Sequence, residues 1–176
     1  DLLARYRRVL PSFTSPYFAE PISTDPGKGS YVWHLDGNLY LDFFGGVLTT
    51  MIGHDHPAVT AAVQAQAAKV MHTSTLYLSE PMIALAEKIT ALSGIPDARV
   101  FFTASGSEAN DTNVRLIQRY YALLGKPAKK QIISRRNAYH GSTIAAASLG
   151  GMSAMHAQIH GLDYVHHINQ PHWFVE

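Results

Sequence analysis

The sequence predicts an α/β protein. From Ala58 onward, helical and strand patterns alternate, which is the pattern of βαβ units on a parallel sheet. At the centre stands one unit of strand, glycine turn, helix and strand. Around it, 47% hydrophobic and 15% charged residues in a chain of 176 describe a folded domain with a core to bury, not a disordered one.

Taken in order, residues 2–9 form a short helix. Residues 11–29 are rich in Pro, Ser, Thr and Gly and read as an extended arm that lies on a partner subunit. Asp36-Gly37 separates two apolar runs, the strongest short-range hairpin signal. Residues 45–53 are a loop. His54-Asp55-His56-Pro57 places two histidines around an acid. That pattern suggests a metal site, but such sites want three or four ligands, and a loop closing onto a helix with Pro57 in its first turn is the simpler account. Residues 58–71 are an Ala-rich helix with Val59, Ala62, Val63, Ala67 and Val70 as its buried face. After a connector, Ser79 caps a helix with Pro81 in its first turn. Met82, Leu85, Ala86, Ile89 and Leu92 line one face of it, and Gly94 and Pro96 end it.

The central unit follows. Residues 99–103 are β-branched and aromatic, so a buried strand. Ser105-Gly106-Ser107 is a tight turn, and Glu108 stands three residues after Ser105 in a capping-box pattern. Ala109, Val114, Leu116, Ile117, Tyr120, Tyr121 and Leu124 then recur with a rough 3.6-residue period, until Gly125 and Pro127 stop the helix. Residues 131–134 are the next strand. Residues 142–149 are small and apolar, a helix or an extended segment, and Gly150-Gly151 breaks it. His156 and His160 are four apart but sit in a glycine-bounded segment that reads as a loop. Residues 163–168 suggest a strand, and residues 175–176 come with no closing element.

Two pieces of this unit carry chemistry. The first N–H groups of a helix lack internal partners and sit at the positive end of its dipole. A glycine lets an anion approach them, so Gly106-Ser107 suits a phosphate. The same residues also read as an ordinary helix cap satisfied by Ser105 and Glu108. Tyr139-His140-Gly141 lies just past the second strand. In open α/β sheets ligands gather beyond the carboxyl ends of the strands, which puts this loop on the same edge as the Ser105 turn. Tyr139 offers an aromatic face for a flat ring, or else simply packs. Phosphate and flat ring together suggest a nucleotide or pyridoxal phosphate.

Composition excludes several classes. Fourteen basic residues against thirteen acidic ones, a formal +1, form no basic patch, so nucleic acid is not an implied partner. The absence of cysteine removes disulfides and thiol nucleophiles. No apolar run has the length of a membrane span, and the first residues lack the apolar core of a signal peptide. The expectation is a soluble cytoplasmic protein, trimmed at its start since no initiator Met is present. Ten histidines raise a metal-binding module as an alternative, with His54, His56, His166 and His167 as ligands, although their spacing matches no compact site.

Asp36-Gly37-Asn38-Leu39-Tyr40-Leu41-Asp42-Phe43, Gly53-His54-Asp55-His56-Pro57, Ser105-Gly106-Ser107-Glu108-Ala109-Asn110-Asp111 and Tyr139-His140-Gly141 stand in the order and spacing of class III pyridoxal-phosphate aminotransferases. The chain resembles that family from about Pro21 onward. Tyr40 to Gly46 and His72-Thr73-Ser74-Thr75 look most like the alanine–glyoxylate (mitochondrial type 2) branch. The resemblance implies the type I pyridoxal-phosphate fold, a mostly parallel sheet with helices on both faces, incomplete in this chain. Residues 1–50 would be arm and hairpin of the small domain or dimer arm, and 51–176 the first part of the large cofactor-binding domain. Gly106 and Ser107 would bind the phosphate of pyridoxal 5'-phosphate, Tyr139 would stack on its ring, and His140 would flank it. Val47 and Leu48 would line the substrate pocket, and Thr73 and Ser74 would approach the partner subunit's site in a homodimer or dimer of dimers. Glu108 and Asp111 would be cap and dipole residues. The implied reaction moves an amino group from an amino acid or amine to a 2-oxo acid of the glyoxylate or pyruvate type. An epimerase, decarboxylase or phospho-lyase of the same class is the alternative. No metal is implied.

The family needs a lysine for the Schiff base and an aspartate for the pyridinium nitrogen, both well past the Tyr-His-Gly motif. Lys28, Lys69, Lys88, Lys126, Lys129 and Lys130 all precede Tyr139. The expectation is therefore that this chain supplies the phosphate cradle and the stacking face, that it holds no catalytic residue, and that lysine and aspartate lie downstream of Glu176. The compartment expected is the cytoplasm, or the mitochondrial matrix in a eukaryote.

Overall fold

The computed structural model describes residues 1–14, 16–171 and 174, in two compact units, Asp1–Glu80 and Pro81–Glu176. The expectation that no element closes the chain at residues 175–176 lies outside the described residues.

The first unit opens with α1 (Leu2–Val9). The Asp1 carboxylate accepts from the backbone N–H of Leu3 at 2.9 Å and Ala4 at 3.4 Å, and Arg7 and Arg8 occupy the last turn, so both ends suit the helix dipole. β1 (Thr24–Lys28), β2 (Tyr31–His34) and β3 (Leu39–Leu41) form an antiparallel sheet in that order. The expected hairpin is β2–β3, with Val32 opposite Tyr40 and Trp33 opposite Leu39. Its turn is closed by the Asp36 carboxylate, which accepts from the Asn38 N–H at 3.0 Å. That bond first, and the His34 side chain second, hold the Asp36 carboxyl below its usual pKa.

The arm of residues 11–29 is not all arm, because its end is β1. Thr24 pairs with His34 and Gly27 with Val32, and the register shifts between them, where Pro26 sits. An edge strand with a local shift tolerates a residue that has no N–H to donate. A Pro-rich stretch therefore still joins the sheet.

The loop after β3 is built on left-handed backbone. Gly45, Gly46, Val47 and Leu48 have φ of 55, 56, 55 and 72°. For Val47 and Leu48 this costs about 1–2 kcal/mol each. The Asp42 carboxylate holds the entry, accepting from the N–H groups of Phe44 at 3.0 Å and Gly45 at 2.9 Å, while His54 Nε2 lies 2.8 Å from its other oxygen. The Gly45 N–H chiefly, and His54 next, keep the Asp42 carboxyl below its usual pKa. His54 is fixed in turn by reciprocal backbone bonds with Gly29 at 2.9 and 2.7 Å. α2 (Pro57–Ala67) follows, with Pro57 in its first turn as expected. Its predicted face is not buried: Val59, Val63 and Val70 are exposed and α2 has no buried residue. A stripe of apolar residues is buried only where another layer covers it, and residues 1–80 do not provide that layer.

The second unit comprises α3 (Glu80–Ser93), α4 (Gly106–Leu123), β4 (Ile132–Arg135), α5 (Ile144–Leu149), α6 (Ser153–His156) and β5 (Val165–Ile168). α4 ends in a Schellman motif. Gly125, at φ 71°, donates to Ala122 O at 3.0 Å and Lys126 donates to Tyr121 O at 2.8 Å. β4 and β5 run parallel, Ile132 opposite Val165 and Arg135 opposite Ile168, joined through α5 and α6. A parallel pair needs such a crossover. The core lies where α4 meets α5: among the described residues, Val114, Ala146, Ala147 and Ser148 are the buried side chains. Small residues on α5 let the two helices approach closely.

The buried strand expected at 99–103 is absent. The segment has no secondary structure, and Phe101 is 74% exposed. A strand is defined by a ladder to a neighbour, and no described strand pairs with these residues. The segment around His156, expected as a loop, contains the one-turn helix α6, which stops before His160.

Candidate cofactor site

The site forms where the first turn of α4 meets the loop between β4 and α5. Ser105 is the N-cap, and its Oγ accepts from the Glu108 N–H at 3.2 Å. Glu108 folds back, but its carboxylate accepts from the Ala104 N–H at 2.7 Å, one residue before the N-cap of an ordinary capping box. These two bonds leave the N–H groups of Gly106 and Ser107 with no acceptor among the described residues. A side-chain carbon placed on Gly106 would meet nothing within 4 Å. The cap and the cradle are thus not alternatives. The cap secures two amides, and two others have no acceptor among the described residues at the positive end of an 18-residue helix. A phosphate group fits this donor set.

The loop lies directly against that turn. Gly141 is buried and has φ 127°; a Cβ there would stand 2.3 Å from Ser107 Oγ, 2.8 Å from Ser107 Cα and 2.9 Å from Ala146 Cβ. Only glycine permits this approach. Ser107 Oγ accepts from the Ser142 N–H at 3.0 Å, which keeps the Ser107 hydroxyl hydrogen for a ligand. Asn110 Nδ2 donates to His140 O at 2.7 Å. Asp111 Oδ1 accepts from Thr143 Oγ1 at 2.8 Å and from the Ala146 N–H at 3.2 Å. The Tyr139 hydroxyl is 3.2 Å from Ser142 Oγ, and the residue is 62% exposed. A flat ring can lie on that face.

Gly106, Ser107, Tyr139 and His140 are therefore brought together in one unit. Val47, Leu48, Thr73 and Ser74 lie in the first unit; Ser74 shares with Val47 and Leu48 a left-handed backbone, at φ 61°. Of the four histidines raised as metal ligands, three make side-chain contacts to other groups. His54 faces Asp42, His56 is the N-cap residue of α2, and His166 and His167 alternate across β5, the first 2.5 Å from Gln131 Oε1 and the second 2.6 Å from Gly150 O. Among the described residues no group of three or more His, Cys, Asp or Glu comes together to hold a metal.

Sequence reasoning missed Asn110, Ser142 and Thr143; Asp111, expected as a cap and dipole residue, caps α5. A signal was present. Ser107, Asn110 and Asp111 are spaced i, i+3, i+4, so they share one face of α4.

A helix N-terminus with unpartnered amides, beside a crossover loop that presents an aromatic face, defines an α/β protein built to hold a phosphorylated ring. The chain belongs to the class III aminotransferases, a family of pyridoxal-phosphate enzymes whose model matches residues 16–172. It is 38% identical to gamma aminobutyrate transaminase 2 of Solanum lycopersicum, over 94% of this chain and 38% of the relative. It is also 38% identical to putrescine–pyruvate aminotransferase of Pseudomonas aeruginosa, over 85% of this chain and 33% of that one. Among solved structures, the omega transaminase of Pseudomonas jessenii in complex with PMP superposes with a TM-score of 0.89 at 32% identity, covering 99% of this chain and 40% of the other. The chain thus spans between a third and two-fifths of the length of these proteins. The fold is that of the type I pyridoxal-phosphate enzymes, as the resemblance implied.

Proposed function

We propose that the protein to which this chain belongs is an aminotransferase that moves an amino group from an amino acid or amine to a 2-oxo acid of the glyoxylate or pyruvate type, close to the alanine–glyoxylate branch. The observation that carries this reading is the pair of unpartnered amides at Gly106 and Ser107, locked by Gly141 and Ser142 beside the open face of Tyr139. Gly106 and Ser107 hold the phosphate through N–H groups and the Ser107 hydroxyl. Tyr139 lies on the ring, and His140 flanks it through the backbone that Asn110 fixes. Pyridoxal phosphate, when bound, supplies a ring that withdraws electrons from the carbon bearing the amino group. All six lysines precede Tyr139, so none of them stands where the family's exchanging lysine does.

Val47 and Leu48, on their left-handed turn, line the substrate pocket. Thr73 and Ser74 approach the site of a second subunit in a homodimer or dimer of dimers. Residues 1–50 belong to the small domain or dimer arm, and 51–176 open the large domain. The compartment is the cytoplasm, or the mitochondrial matrix in a eukaryote; among the described residues no helix is long and apolar enough to cross a membrane.

The test is a half-reaction on the purified whole protein. The bound cofactor's visible band is followed as alanine is added and then glyoxylate or pyruvate. Loss of the band with alanine and its return with the oxo acid support the reading. A protein that binds no cofactor, or whose band never responds to any amino donor, refutes it. Borohydride reduction followed by intact-mass measurement counts the cofactor fixed per chain, and sedimentation tests the dimer.

A further inference from the structure

α5 is only six residues long, and its N-cap residue, Thr143, makes no side-chain bond to its own helix. A single turn and a half of helix has little stability of its own. Its N-terminus is capped instead from α4. Asp111 Oδ1 takes the N–H of Ala146, which is the third helical residue and the usual target of an N-cap side chain, and the same oxygen takes the Thr143 hydroxyl. One carboxylate oxygen thus ties the start of α5 to the first turns of α4. The chain between these anchors is short. Residues 139–142 run from Tyr139, past Gly141 pressed on Ser107, to Ser142 bonded to Ser107 Oγ. The packing beneath is close: Ala146 is 0% exposed.

We propose that Asp111 is a positioning residue for the cofactor, holding the Tyr139 face at the height and tilt that the Gly106–Ser107 cradle requires. This rests on the cofactor reading above. Asp111 touches neither phosphate nor ring; it acts through Thr143 and the first turn of α5. Asn110 makes the matching tie on the other side of the loop, through His140 O, but it holds one carbonyl only. Asp111 fixes the helix from which the loop hangs. What matters is an oxygen acceptor at that point, not a negative charge.

The experiment uses the whole protein and three variants, Asp111→Ala, Asp111→Asn and Thr143→Val, at a temperature well below their unfolding midpoints. Cofactor affinity is read by equilibrium dialysis, and the tilt of the bound ring by its induced visible circular dichroism. Asp111→Ala is expected to weaken cofactor binding about tenfold or more and to reduce the induced band per bound cofactor. Asp111→Asn keeps an oxygen acceptor and is expected to stay within about threefold of wild type, with its band intact. Thr143→Val, which keeps the shape and loses one donor, falls between them. If Asp111→Ala lowers the midpoint but leaves affinity and band unchanged, the role is structural only and the proposal fails. It fails equally if Asp111→Asn is as weak as Asp111→Ala, because charge would then be the agent. If Asp111→Ala does not fold, Thr143→Val decides by the same two readings: an unchanged band overturns the proposal. Wild-type protein that binds no cofactor would instead refute the cofactor reading itself, an outcome distinct from all of these.

Discussion

The sharpest perturbation of this site is one methyl group, Gly141→Ala. The added carbon would lie 2.8 Å from Ser107 Cα and 2.9 Å from Ala146 Cβ. The first is backbone in the opening turn of α4, and the second belongs to a fully buried residue, so neither can turn aside. Overpacking of this kind costs about 1–3 kcal/mol. The φ of 127° adds a conformational penalty of about 1–2 kcal/mol for any residue with a side chain. The sum, about 2–5 kcal/mol, exceeds what the Ser142–Ser107 hydrogen bond can return, at about 0.5–1.5 kcal/mol. The loop should therefore lift off the cradle rather than strain in place. The whole protein with Gly141→Ala is expected to bind pyridoxal phosphate at least tenfold more weakly, at about 1.4 kcal/mol per tenfold. Equilibrium dialysis measures this, and denaturant titration measures the stability loss beside it. Wild-type affinity in a protein of wild-type stability would refute the close approach on which the site is built.

Further outcomes are expected. Ser107→Ala removes both the acceptor for the Ser142 N–H and the hydroxyl proposed to hold the phosphate, so affinity for free inorganic phosphate as a competitor should fall along with cofactor affinity; a loss confined to one of them would contradict the double role. Tyr139→Phe keeps the ring and loses only the 3.2 Å contact to Ser142, so binding should stay within about threefold, whereas Tyr139→Ala should lose about tenfold; equal effects would show that stacking is not the contribution. Asp42 has a depressed pKa in the folded chain, so its contribution to stability is complete above the unfolded value of 3.8 and is lost as pH falls through the lower folded value. Asp42→Asn should flatten the acid limb of the stability–pH curve in that window, and superimposable curves for the two proteins would refute the Asp42 latch.

Local order was legible in the sequence wherever one short-range rule decided the outcome. Asp36-Gly37 specified the hairpin, Pro57 the start of α2, Ser105 and Gly125 the two ends of α4. Each is settled by bonds among residues a few positions apart. What failed depended on distant partners. Residues 99–103 carry every strand preference but no ladder, and the apolar stripe of α2 has a period but no cover. β1 was hidden because Pro26 reads as a breaker until the register shift beside it is seen. In the site, the cradle and the loop were each legible as motifs. Their joint was not, because the Asp111–Thr143 and Asn110–His140 bonds span 32 and 30 residues, and no local preference encodes them.

The unpaired stretch at 98–103 has a consequence during synthesis. Val100, Phe101 and Phe102 are what a nascent chain would least usefully show to its neighbours: apolar, β-prone and without a strand alongside. Translation proceeds at about 5–20 residues per second, so on a crowded polysome several copies display this run together for seconds before β4 has even been made. Holdase chaperones bind such runs. The yield of the protein in a cell would then be governed at this point by the competition between chaperone capture and self-association, and a charged residue introduced at Phe101, which is 74% exposed, would raise the soluble yield of these 176 residues made alone.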